Sequence, residues 1–299
     1  MATPQTTARR LSRLAPPISR AAASGAAAWA IRRDAEAWFL QAKAMIELAL
    51  SESPRNARSI AKSSLAQNIL FHADYERFAR NSFRWVTKRL ERMEVPDGDL
   101  ISGIVRRHAG PVIYATAHMG CYLAALMRIG QILELDGPVA VIKRERGNER
   151  ETRAYRHFAA LGIELELLRV GARPAAAAFR TLKRGGNLVL LFDVHEGFGI
   201  GHQSPCELFH HRAALPLGPA SLAARTGAMI VPLAVLDNVD GTERVVFGQP
   251  ILPHEPPETM VRSLAKCLDG WVREVPGNWM LWPHLGSLWA AGAKSDRGS

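Results

Sequence analysis

Cysteine is scarce in this chain: Cys121, Cys206 and Cys267 are the three among 299 residues. An odd, widely spaced set does not read as a disulfide framework and points to a reducing compartment. Long apolar runs are missing too, since no segment reaches the roughly 18–20 residues that a membrane-spanning helix needs. Aromatic residues make up 7%, and many lie in apolar segments. The basic stripe interleaved with aromatics that nucleic-acid binding calls for is therefore not evident. Acidic residues number 28 against 38 lysines and arginines, a net charge of +10. A surface of that sign favours acidic partners, among them anionic headgroups and acidic carrier proteins.

Apolar residues make up 47% of the chain. That suffices for one large domain, or for a domain with a helical extension. Residues 1–20 carry Pro16, Pro17 and several arginines without periodicity, and are expected to be disordered. "AAASGAAAWAI" (21–31) is short and Ala-rich with arginines on both sides. It lacks a convincing signal-peptide cleavage site, and a peripheral membrane helix suits it better. From about 22 to 92 the pattern is helical. Trp38, Phe39, Ala42, Met45, Ile46 and Leu50 recur at three- and four-residue spacing, Pro54 interrupts, and helix resumes with basic residues on its polar face.

After Gly110 the texture changes. "PVIYATA", "GPVAVIKR", "IELELLRV", "NLVLLFD", "AMIVPLAVLD" and "TERVVFGQPI" read as short strands, most of them separated by helical stretches. Alternation of this kind predicts an α/β fold with a mostly parallel central sheet flanked by helices, plus an N-terminal helical extension. The expected division is a helical region over 21–100 packing on the core, an α/β domain over 101–290, and a disordered tail over 291–299.

Sites in such sheets gather at the carboxyl ends of the strands. The polar residues there are His118 after the first strand, Lys143 and Arg144 after the second, and Asp193, His195 and Glu196 after "NLVLLF". His118 ends a strand just before a helix, where a base can face a cleft and helix N–H groups favour an oxyanion; a buried histidine bonded to backbone is the competing reading. Cys121 is either a nucleophile paired with His118 or a small buried apolar residue. Lys143, Arg144 and Arg146 either hold a phosphate or form a solvated loop. Asp193, His195, Glu196, His202, Cys206, His210 and His211 are ligand types, but their spacing matches no zinc pattern. Gly197, Gly199 and Gly201 fit a flexible loop over the site better than a nucleotide loop.

Taken in order, these features resemble the lysophospholipid acyltransferase superfamily over roughly residues 55–285, and within it the late lipid A acyltransferases, the lauroyl and myristoyl transferases. "ARSIAKSSLAQNILFHADYERFARNSFRWV" resembles that family's amphipathic lead-in helices. "YATAHMGCYLAAL" aligns with its block H-F-G-N-W-E. The run from "LKRGG" through "NLVLLFD" to "LAARTGAMIVPLAV" resembles its long block from L-K-x-G to L-A-x-x-T-G-A-x-V-V-P. "WMLWPH" resembles its terminal Q-Y-x-W-x-H-R.

The resemblance implies transfer of an acyl group from acyl carrier protein or coenzyme A to a hydroxyl, or in a diverged site an amine, through an H-x4-D/E motif. His118 then takes the role of general base. Lys143 or Arg144 holds a phosphate or the oxyanion, and Cys121 and Tyr122 lie on the substrate side. No cofactor, no metal and no nucleic-acid partner is implied. The acceptor is a lipid or a small molecule, such as a specialised-metabolite intermediate. The expected location is cytoplasmic, with peripheral attachment to the inner membrane left open. Two departures stand out: the family's N-terminal membrane anchor is weak or absent, and Leu123 stands where the motif acid belongs. Asp193 and Glu196 are the first candidates to replace that acid, with Glu145 third. An amine acceptor, which needs less base assistance, is the other way out. A relative that binds an acyl chain or a carrier protein without catalysis is the competing functional reading.

Overall fold

The computed structural model describes residues 11–13, 16–33, 35–133, 137–143, 149–169, 174–194, 201–238 and 240–295. Five helices lead in: α1 (Pro16–Arg33), α2 (Glu36–Leu50), α3 (Pro54–Arg80), α4 (Phe83–Glu91) and α5 (Gly98–His108), with a two-residue strand β1 (Met93–Glu94) between the last two. The periodic residues of α2 behave as their spacing predicts, with Phe39, Ala42 and Ile46 buried. The chain turns at Ser51, which has φ of 54°. Ser53 caps the next helix by accepting the Asn56 N–H, and Pro54 fills its first turn.

The α/β part runs β2 (Val112–Thr116), α6 (Tyr122–Leu133), β3 (Val139–Lys143), α7 (Glu149–Ala160), β4 (Leu165–Arg169), α8 (Pro174–Lys183) and β5 (Asn187–Leu191). It continues with β6 (Gln203–Leu208), β7 (His211–Pro216), α9 (Gly218–Thr226), β8 (Met229–Asp237), β9 (Glu243–Phe247), α10 (Pro257–Glu274) and α11 (Leu285–Ser295). Seven strands form one sheet in the order β1-β9-β8-β2-β5-β3-β4, parallel except where β9 pairs with β8. The fold is thus α/β with a mostly parallel sheet and eleven helices among the described residues. β2 is buried along its whole length, as a central parallel strand should be.

Two cores follow from the pleat of β2. Ile113 and Ala115 face one cluster, shared with Leu188, Leu190 and residues of α2, α9 and α10. Val112 and Tyr114 face the other, shared with residues of α4, α5, α6 and α7. Helix α3, 27 residues or about 40 Å long, contributes Ala57 and Ala61 to the first cluster and Tyr75 and Phe78 to the second. It therefore reaches both faces of the sheet. Near its far end the buried Arg77 pairs with Asp74 and donates to the Leu11 carbonyl. Arg89 on α4 pairs with the buried Glu243 of β9.

Three features differ from the sequence expectation. Helix α1 starts at Pro16, inside the stretch assigned to disorder; a proline in the first helical turn loses no hydrogen bond. Helix α11 runs to Ser295, because Gly292 brings it against β7: a Cβ there would meet Ala213 backbone atoms at 2.6 Å. The stretch "QSPCELFHHRAALP" is an antiparallel hairpin, β6–β7, turning at Phe209 and His210, which have φ of 55° and 64°. No helix among the described residues is long and apolar enough to cross a membrane.

Candidate active site

The register of β2 against β5 builds the site. Thr116 lies beside Leu191, and the Phe192 N–H donates to the Thr116 carbonyl at 3.0 Å. Each chain then runs two residues past that paired position, one to His118 and the other to Asp193. Their side chains meet. His118 Nδ1 lies 2.8 Å from Asp193 Oδ1, and the His118 backbone N–H donates to Asp193 Oδ2 at 2.8 Å. Asp193 is completely buried, while the His118 side chain keeps 17% of its surface open.

A carboxylate only accepts, so Nδ1 is the donor of that bond, and in a neutral ring the lone pair then falls on Nε2. Such a pairing can orient an imidazole and favour its protonation. The carboxylate comes from the neighbouring strand rather than from the helix that follows the histidine. Leu123, at the motif position, is fully buried in the α6-side core.

Gly120 makes the turn from β2 into α6. Its φ is +56°, and a Cβ there would lie 2.7 Å from Val235 Cβ and 2.9 Å from the Val235 carbonyl oxygen. Both the sign of φ and the lack of room restrict the position to glycine. Helix α6 begins four residues beyond His118, and its first-turn N–H groups have no partner within the helix. The Tyr122 ring meets the His118 ring edge-on, with centroids 6.3 Å apart, and packs on Phe71 of α3 at 4.9 Å.

The other side of the site is formed by the aromatic segment near the C-terminus. The Met280 N–H donates to the His118 carbonyl at 3.0 Å, and Trp279 bridges to Met119. The Trp279 indole N–H donates to Asp193 Oδ2 at 2.9 Å. Ser64 of α3 donates its hydroxyl proton to the Trp279 carbonyl at 2.5 Å.

Among the residues singled out in the sequence, the structure gathers His118, Asp193 and Tyr122 around one point. Lys143 ends β3, on the far side of β5 from β2. Arg144, Glu145, Arg146, His195, Glu196, Gly197 and Gly199 lie outside the described residues. Cys121 points into the core, 1% exposed. Burial pushes its thiol well above the usual range, and the negative charges of Asp74 and Glu243 add to the effect. A nucleophile needs the opposite. His210 and His211 are exposed around the hairpin turn, and the His211 ring packs on Trp289 at 4.2 Å. Among the described residues, no three of His, Cys, Asp and Glu are grouped so as to hold a metal ion.

Sequence reasoning passed over Trp279 and Ser64. The tryptophan opens the quoted terminal block "WMLWPH", so its place in the motif was visible. Its contact with a residue 86 positions away was not.

A comparison with the curated proteins finds no match. The sequence model described as bacterial lipid A biosynthesis acyltransferase matches residues 7–285, from before α1 to the first residue of α11. Because that match takes in nearly the whole chain, including the strand ends that carry His118 and Asp193, the protein belongs to the bacterial lipid A biosynthesis acyltransferase family.

Proposed function

We propose that this acyltransferase moves an acyl group from a thioester, carried on acyl carrier protein or coenzyme A, to a hydroxyl or amine acceptor, with His118 as general base and Asp193 orienting it. The observation that carries the reading is the 2.8 Å contact between His118 Nδ1 and Asp193 Oδ1, on a ring still open to solvent. His118 Nε2 takes the proton from the acceptor as its oxygen or nitrogen attacks the thioester carbonyl carbon. The tetrahedral oxyanion is met by N–H groups at the start of α6. Collapse breaks the C–S bond, and the imidazolium returns its proton to the departing thiolate. Glu196 is not required in this scheme, and Tyr122 serves as a wall of the substrate cleft.

The ground for a non-catalytic relative is Leu123, and a carboxylate bonded to the His118 ring from β5 weighs against it. A net charge of +10 suits an acidic carrier protein as donor and an anionic surface as the acceptor's setting. Helix α2 supports the second point. It presents Ala37, Leu40, Ala44 and Leu48 on one exposed stripe, with Leu40 55% and Leu48 57% exposed, and the exposed Arg55 and Arg58 follow at the start of α3. The protein would then act from the cytoplasmic side, lying on the inner membrane rather than crossing it.

The test is a panel of acyl carrier protein and coenzyme A thioesters, each with lipid, alcohol and amine acceptors. Turnover with at least one pair, abolished in a folded His118→Ala variant, supports the reading. Turnover that survives His118→Ala rules it out, and binding of donor without turnover by any acceptor supports the binding relative instead.

A further inference from the structure

We infer that Trp279 is a positioning residue for the transfer reaction: its indole N–H fixes the Asp193 carboxylate, and Ser64 on α3 fixes Trp279. The inference rests on the proposed roles of His118 and Asp193 and adds a requirement to them. An acid on the same helix turn as its histidine is oriented by local geometry. Asp193 arrives from another strand, at the end of β5, and is completely buried. Its carboxylate must be aimed by whatever surrounds it.

Two donors do this at one oxygen. The His118 backbone N–H and the Trp279 indole N–H both reach Oδ2, at 2.8 and 2.9 Å. With Oδ2 held from two directions, Oδ1 is left facing Nδ1 of the imidazole at 2.8 Å. If the indole donor is removed, one bond remains on Oδ2 and the carboxylate can pivot about it. A buried acceptor is also left short of a partner.

Trp279 is itself held rigidly. It is fully buried, with its ring against Trp282 at 4.9 Å and Phe209 at 6.0 Å. Its backbone bridges to Met119, beside His118. The Ser64 hydroxyl closes on its carbonyl from α3. Phe209 belongs to the hairpin turn, in the left-handed region, where its backbone N–H is met by Asp269 at 2.9 Å. Helix α3 and the β6–β7 hairpin thus both hold Trp279, the first at its backbone carbonyl and the second at its ring.

The experiment is a double-mutant cycle on the full chain, with the donor–acceptor pair that gives turnover. Trp279→Phe keeps an aromatic ring and loses the donor. It should lower kcat about 10- to 100-fold, the size of a charge-assisted hydrogen bond or of a misaligned base, with KM for donor and acceptor unchanged. Placed on Asp193→Asn, it should cost almost nothing more, because its effect passes through Asp193. Unchanged kcat, or losses that multiply in the double variant, overturn the inference.

Should Trp279→Phe fail to fold, Ser64→Ala carries the same cycle, with an expected loss of about 2- to 10-fold in kcat that vanishes on Asp193→Asn. A Ser64→Ala loss that persists there, or no loss at all, is again fatal. The contact also has a direct readout: the Trp279 indole N–H resonance should move in Asp193→Asn, and an unmoved resonance argues against it. Full turnover in His118→Ala would instead sink the underlying reading of the site. An inactive His118→Ala together with a silent Trp279→Phe sinks this inference alone.

Discussion

His118 binds Asp193 twice, through its backbone N–H to one carboxylate oxygen and through its ring nitrogen to the other. The backbone bond locks the two strand ends together, and the ring bond sets the tautomer. Asp193→Asn keeps the shape and removes the charge. Its amide group can face Nδ1 in a way that favours the wrong tautomer. In the serine-protease triad the equivalent change costs about 10⁴ in turnover. A loss of about 10³- to 10⁴-fold in kcat is expected here, with substrate KM little changed and the folded state retained by circular dichroism.

Rebuilding the family motif locally should fail. Leu123 is fully buried among Tyr75, Val231, Val235 and other apolar side chains of the α6-side core. Leu123→Asp in the Asp193→Asn background places a carboxylate in hydrocarbon, away from solvent. The expected result is no recovery of turnover and a stability loss of about 3–5 kcal/mol, read as a lower urea midpoint. Recovery of activity would mean that the motif position does face the base.

How much of this was legible in the sequence depends on the range of the interaction. The six named strands and their intervening helices followed from short apolar runs and local spacing, and each strand forms where its apolar run predicted. His118 and the strand end bearing Asp193 were visible for the same reason. Their pairing depended on sheet order, which places β5 beside β2 although β3 and β4 come between them in the chain. The hairpin β6–β7 was hidden by its composition. Its histidines read as ligands, and its turn uses Phe209 and His210 where glycine or asparagine would have signalled it. Trp279 stands out only as part of the block "WMLWPH", since nothing local distinguishes a core tryptophan from one whose N–H meets a buried acid.

Cys121 lies three residues from the proposed base, yet its thiol is held protonated by burial and by the charges of Asp74 and Glu243. In the folded protein at pH 8, iodoacetamide should leave Cys121 unmodified by peptide mass spectrometry, and unfolding in urea should expose it. Cys121→Ala should retain turnover within about twofold and cost about 1 kcal/mol of stability. An acyl adduct on Cys121, formed with donor alone, would restore the covalent route.

The α2 stripe gives a separate prediction. Leu40→Ser with Leu48→Ser should weaken binding to vesicles of anionic phospholipid at least about tenfold, since each removes roughly 1–2 kcal/mol of apolar contact. Turnover of a water-soluble donor–acceptor pair should be unchanged, because both residues lie on the exposed face of α2. Equal vesicle binding by the variant and the original chain, in a cosedimentation assay, would remove α2 as the contact.

His157 provides a pH dependence independent of catalysis. It is buried on α7, its Nε2 lies 2.8 Å from the Phe78 carbonyl of α3, and its ring stacks on Phe83. Burial lowers its pKa from the ordinary value of 6.5. The carbonyl bond opposes that shift, and the neighbouring Arg156 charge adds to it. The folded state therefore holds this proton less tightly than the unfolded chain does. Below about pH 6.5 the unfolded state takes up more protons, so stability is complete above that value and falls as the pH drops toward the folded pKa. His157→Gln, whose amide can still donate to the Phe78 carbonyl, has no proton to gain. Urea unfolding between pH 7 and pH 5 should show a smaller loss of stability in His157→Gln than in the original chain. Parallel curves for the two proteins would mean that His157 does not couple the α3–α7 contact to pH.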